Sequence, residues 1–155
     1  MTKPQQRLDN ARNPQQLAKM LACAAQDICY LCRTDFETRH EAPIEKEGAH
    51  WFVTRSTAPY DTDSRTSHYM VISVMHVLSF QELSAEAKTE WFEMIDWLVA
   101  EKNLDGYTVM SRNGNMARTG ASIDHLHTHV VRGAEKQGHT LEQSILATIG
   151  YKHLA

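Results

Sequence analysis

A chain of 155 residues, 42% of them apolar, is long enough to bury one sizeable core and fits a single domain. Its formal net charge of −3, with no block of like charges, excludes the electrostatic footprint of a nonspecific nucleic-acid binder. No apolar run approaches the roughly 18 residues of a membrane span, and the polar opening MTKPQQRLDNARNPQQ has no hydrophobic signal region, so no membrane partner and a cytoplasmic address are expected.

Residues 1–13 are expected to fray and remain flexible. The run 14–26, PQQLAKMLACAAQ, places Leu17, Met20, Leu21 and Ala24 at helical spacing behind a first-turn proline, Pro14, and predicts an N-terminal helix within 14–28. Three cysteines follow one another closely, Cys23, Cys29 and Cys32. An odd, clustered set is not a secreted disulfide framework. Cys23 lies on the apolar side of the helix and reads as a small core residue. Cys29 and Cys32, in CYLC, have the spacing of zinc ligands, of a redox pair, or of coincidence.

Beyond a loop-rich stretch, HWFVTR (50–55) and HYMVISV (68–74) are β-branched and aromatic runs that predict strands, with a polar loop between them. The clearest helix covers 84–103. Ser84 is its N-cap candidate, Glu86 and Lys102 suit its two dipole ends, and Trp91, Ile95 and Leu98 form an apolar stripe. YTVMSR (107–112) predicts a third strand, NGNMARTGAS (113–122) a glycine-bearing loop, DHLHTHVV (124–131) a fourth strand, and LEQSILATI (141–149) a closing helix. Connections this short do not allow repeated parallel crossovers. The fold class is therefore α+β, an antiparallel sheet with helices packed on it.

His125, His127 and His129 stand at alternate positions. On a strand, that period puts all three on one face, about 6.6 Å apart at about 3.3 Å per residue. On a helix they would scatter. Three rings on one face could grip a single metal, but the outer two are about 13 Å apart at the backbone, far from Zn–N distances of about 2.0 Å. They could be surface histidines of an edge strand. They could also divide the work, one outer ring joining the cysteines at a metal and the middle one performing chemistry.

HLHTHVV resembles the His-x-His-x-His-x-x signature of the histidine triad (HIT) superfamily of nucleotide hydrolases and transferases. NGNMARTGASIDHLHTH is similar to that family's Asn-x-Gly loop and Gly-Gln-Ser lead-in. HYMVISVMHVLSFQELS is similar to its Val-Ile-Pro-x-x-His strand end, and CYLC to the Cys-x-x-Cys of its zinc-containing branch. The similarity spans about 29–131, within a single HIT-like domain covering 1–155. It implies a sheet of about five strands with a central helix packed on it and helices at both termini. It also implies a structural zinc ion on Cys29, Cys32, His76 and His125; four Cys/His ligands make a closed tetrahedral site with no position open for catalysis.

The resemblance makes His127 the nucleophile toward the α-phosphorus of a nucleotide conjugate, with a covalent nucleotidyl-histidine intermediate. His129, Ser122 and the backbone near Gly120 would stabilise phosphate charge, with Asn113 assisting. Nucleotides or nucleotide conjugates, such as dinucleoside polyphosphates or nucleoside phosphoramidates, are the implied partners, and a homodimer the implied assembly. The alternatives are a zinc-stabilised nucleotide-binding module with little turnover and a Cys-x-x-Cys redox protein. Four positions depart from the family pattern: Ala121 replaces glutamine, Ser73 proline, Thr128 an apolar residue, and Ser56 the acid that binds the ribose hydroxyls. Asp61 or Asp63 could substitute for that acid or be solvated loop residues. His40, His50, His139 and His153 read as ordinary.

Overall fold

The computed structural model describes residues 6–34, 36–138 and 141–154. Five strands, β1 Ile44–Glu47, β2 Trp51–Arg55, β3 Ser67–Ser73, β4 Thr108–Ser111 and β5 His127–Arg132, form one antiparallel sheet in the order β1-β2-β3-β5-β4. The sheet is α+β with helices α1 Pro14–Ala25, α2 Phe36–Arg39, α3 Ala85–Glu101 and α4 Met116–Thr119.

Strand parity splits the sheet into two faces. Trp51, Val53, Tyr69, Val71 and Val130 point toward α3 and pack with Met94, Ile95 and Leu98. The Trp51 indole is wholly buried and donates to the Ala87 carbonyl at 2.7 Å, so its one polar atom is satisfied. α3 starts where Ser84 Oγ accepts from Ala87 N at 3.2 Å. Phe52, Met70 and Ile72 point to the opposite face, against Cys23, Cys29, Leu31 and Phe36. His127 pairs with Ile72 and His129 with Met70 across β3–β5, so both histidines lie on this second face. α1 begins at Asn13, whose Oδ1 accepts from Gln16 N at 2.8 Å, with Pro14 in the first turn.

Three expectations change. β1 was not foreseen from its sequence, because IEKE carries charges instead of an apolar alternation. It is an edge strand with a bulge between Ile44 and Lys46, where charged side chains discourage pairing with another chain. The closing helix over 141–149 is absent; only a 3₁₀ turn, Leu141–Gln143, forms. A segment this short is marginal as a helix without packing, and Leu146 and Ile149 are 80% and 83% exposed. Finally, residues 6–13 do not fray. Gln6 bridges Ile123, Arg7 N donates to Ser122 O at 2.9 Å, and Asn10 Nδ2 donates to Ala121 O at 2.7 Å. Residues 1–5 and His139 lie outside the described residues. No helix among the described residues is long and apolar enough to cross a membrane.

Candidate active site and metal centre

Cys29 and Cys32 leave the turn after α1 and meet two histidines from elsewhere. His76 follows β3, and His125 sits in the turn two residues before β5, outside the strand that was expected to run from 124 and carry all three histidines on one face. The four ligand atoms lie within 4.8 Å of one another. Cys29 Sγ is 3.5 Å from His125 Nδ1, Cys32 Sγ 3.4 Å from His76 Nδ1 and 3.7 Å from His125 Nδ1. A tetrahedral ion with Zn–S about 2.3 Å and Zn–N about 2.0 Å separates sulfur from nitrogen by about 3.5 Å. The three sulfur–nitrogen distances therefore match a tetrahedral zinc site. His125 Nε2 donates to Ser73 O at 2.7 Å, which leaves Nδ1 unprotonated and facing the sulfurs. The hydrogen bond from Cys29 holds the Cys32 thiol far below its ordinary value, so the cluster supplies a thiolate. The Asp124 carboxylate, 4.0 Å from His76 Nε2, backs the outer ligand.

His127 and His129 lie in the floor of a cleft of about 990 Å³, which Ser122, Gly120 and Ser56 also line. The two rings are 4.9 Å apart and nearly perpendicular. His127 Nδ1 donates to the His125 carbonyl at 2.6 Å, so its Nε2 carries the lone pair. Burial pushes the His127 pKa down to about 4 and that of His129 well below the ordinary value; both rings are neutral at pH 7.

A histidine that the sequence did not single out completes the chain. His68, at the start of β3, is buried, and its Nε2 is 2.8 Å from His129 Nδ1. Its own Nδ1 accepts from the Tyr60 backbone N–H at 3.2 Å, which fixes the proton on Nε2. His68 Nε2–H therefore donates to His129 Nδ1, and the His129 proton sits on Nε2, in the cleft. Burial pushes the His68 pKa down to about 3, keeping this relay neutral. Parity was the available signal: His68 shares its face with Met70, the partner of His129, but that requires the β3–β5 register.

Arg112 was also missed. It directly follows β4, with Nη1 2.9 Å from the Tyr60 hydroxyl and 3.4 Å from His129 Nε2. Both atoms of the latter pair carry hydrogen, so the two donors converge on one point without an acceptor between them. Asn113, expected beside phosphate, turns away: its Oδ1 accepts from Phe80 N at 2.9 Å, and it does not line the cleft. Ser122 Oγ accepts from Gln16 Nε2 at 3.2 Å and faces the cleft. Gly120 adopts φ 73°, a left-handed cap after α4 that other residues resist.

The departures acquire physical reasons. Thr128 points to the α3 face, where its Oγ1 accepts from Trp91 Nε1 at 2.9 Å, a bond no aliphatic residue could make. Ser73 Oγ donates toward Met75 O and Leu126 O, bracing the turn that carries His76. Asp61 and Asp63 do not line the cleft; Asp63 is held by Arg65 at 2.7 Å. Ser56 Oγ accepts from Ala58 N.

The profile described as HIT domain matches residues 52–136, which include His68, His76 and the whole triad. The chain belongs to the histidine triad (HIT) family. Its Cys29–Cys32 pair is consistent with the zinc-containing branch of HIT proteins. No curated protein matches it in sequence. Among solved HIT structures it is similar to a histidine triad protein from Clostridium difficile, with 18% identity, TM-score 0.53, and coverage of 72% of this chain and 96% of that one. It is likewise similar to a HIT family hydrolase from Clostridium thermocellum, at 17% identity, TM-score 0.52, and 73% and 96% coverage. A histidine triad nucleotide-binding protein from Candida albicans aligns at 17% identity, TM-score 0.54, and 72% and 85% coverage. At these identities the likeness establishes the fold alone.

Proposed function

We propose that this HIT protein hydrolyses or transfers at the α-phosphate of a nucleotide conjugate, through a nucleotidyl intermediate on His127. The observation that carries this is the 2.6 Å bond from His127 Nδ1 to the His125 carbonyl. It presents an unprotonated Nε2 to the cleft and stabilises the imidazolium that forms on attack. Nε2 bonds to phosphorus as the bond to the leaving group breaks, and His129 Nε2–H donates to that group or to a phosphate oxygen. Water or another phosphate then attacks phosphorus, the P–N bond breaks, and neutral His127 returns. Ser122 and the amides near Gly120 meet the charge that builds on the phosphate oxygens. Cys29, Cys32, His76 and His125 would hold structural zinc, whose closed coordination fixes the turn that sets the His125 carbonyl. The named neighbours, a hydrolase and a nucleotide-binding protein, support nucleotide processing.

The test is single-turnover labelling with a nucleotide conjugate labelled on the α-phosphate. Wild type should carry transient label at His127 and His127→Asn none; binding without label in wild type would instead establish a nucleotide-binding module. The loss of the ribose acid at Ser56 is what favours that second reading. A redox role for the cysteines requires thiols that remain reactive with zinc present, whereas coordinated thiolates are protected. We further propose a cytoplasmic homodimer, paired through the β4 edge, which lacks the charges of β1 and leaves Val109 exposed. Its mass in solution tests this.

A further inference from the structure

The cleft holds more positive charge than one reacting phosphate needs. Four charged side chains line it: Asp9, Arg12, Lys19 and Arg112. Two are already neutralised outside it, Asp9 by Arg7 at 3.2 Å and Lys19 by Glu41 at 2.7 Å. Arg12 and Arg112 have no carboxylate within ion-pair distance among the described residues. Their partners are neutral. Arg12 donates to the Ala58 carbonyl at 2.6 Å and lies 4.3 Å from the centre of the Tyr60 ring. Arg112 donates to the Tyr60 hydroxyl from the other side and to the Thr148 carbonyl. Burial lowers the Arg12 pKa, and Arg112 adds to this by repulsion. Two guanidiniums that border one cleft, flank the same tyrosine and have no carboxylate partner favour an anion between them, although Arg12 is itself exposed and Arg112 half-buried.

Their position indicates which anion. Arg112 borders His129 and the reacting phosphate. Arg12 reaches the Ala58 carbonyl, two residues beyond Ser56, the position where the family pattern has an acid for the sugar hydroxyls. A carboxylate at 56 would bring a negative charge to the same cleft; Ser56 brings none. We propose that Arg12, with Arg112 and Tyr60, forms a second phosphate subsite, and that the substrate is a nucleotide whose sugar carries a phosphate ester in place of a free diol. This rests on the nucleotide-processing function proposed above.

Calorimetric binding to the full chain tests it without turnover, using adenosine 5′-monophosphate, adenosine 3′,5′- and 2′,5′-bisphosphates, and adenosine 5′-diphosphate as probes. At least one sugar bisphosphate should bind about tenfold or more tighter than the monophosphate, the worth of one charge-assisted contact. Arg12→Gln should remove that advantage and Arg12→Lys should keep most of it. Equal binding of mono- and bisphosphates by wild type overturns the subsite without any variant. An Arg12-dependent gain as large for the 5′-diphosphate moves the anion onto the phosphate chain and overturns the sugar assignment. The two proposals fail separately. Label on His127 with no bisphosphate preference removes the subsite alone, and a bisphosphate preference with no label removes the nucleotidyl intermediate alone.

Discussion

Two histidine pairs, His76 with His125 and His127 with His129, lie within a few residues of each other in the chain or the sheet and have opposite chemistry. The first pair presents Nδ1 to sulfur; in the second, His127 presents Nε2 to a cleft lined by arginines. The difference comes from the partner of the far nitrogen. Ser73 O accepts from His125 Nε2–H, and His125 O accepts from His127 Nδ1–H. One backbone turn thus serves both sites, as ligand through a ring and as tautomer lock through a carbonyl. A residue type alone says little about its role; the acceptor behind it decides.

The largest expected effect comes from breaking the cleft side. His127→Asn should lower kcat by about 10³-fold or more while keeping the fold and metal content, measured by turnover and metal analysis. Next is the thiolate side. Cys29→Ser, or a strong chelator, should destabilise the protein by about 4 kcal/mol or more in denaturant melts, and metal analysis should fall from about one zinc per chain to none. Unchanged melting after zinc loss would show that the cluster does not support the frame. Between the two pairs, His68→Phe should lower kcat by about tenfold to a hundredfold with little change in KM, because His129 loses the donor that fixes its tautomer.

The pH dependence sharpens the same contrast. Because burial depresses the His127 pKa to about 4 and the His68 pKa to about 3, the unfolded chain binds more protons than the folded one between those values and about 6.5. Their contribution to stability is therefore complete above about pH 6.5 and is lost as pH falls toward 4. The pH–rate profile should stay flat through pH 6 and drop nearer 4; a midpoint near 6.5 would mean that the ring is hydrated. The smallest effect is predicted for Thr128→Val, which strands the Trp91 indole N–H. It should cost about 1 kcal/mol in a denaturant melt and leave turnover unchanged, since residue 128 faces α3.

Cys29 and Cys32 were legible from a short spacing and the shared face of His127 and His129 from one strand's parity, whereas His76 and His125 were placed beside the cysteines only by the resemblance to HIT proteins. His68 was not legible, because its role depends on which strand lies beside it, and register is not written in a local pattern. Arg12 and Arg112 carry no local sequence signal; only the fold brings them to one cleft. Asn113 fitted a motif, yet the one-residue choice of which side chain enters the cleft went to Arg112, since Asn113 is occupied capping Phe80 N. The helix expected at 141–149 failed for the reverse reason. Its composition suits a helix, but nothing in the described structure rewards an apolar face there.

Arg112 is anchored at its far side by the main-chain oxygen of Thr148, not by any side chain. Side-chain identity over 146–149 is thus decoupled from that anchor, while spacing is not: inserting or deleting one residue would displace the oxygen by about 3.3 Å along an extended chain. The tail acts as a ruler for the guanidinium, tolerant of rewording and intolerant of a change in length.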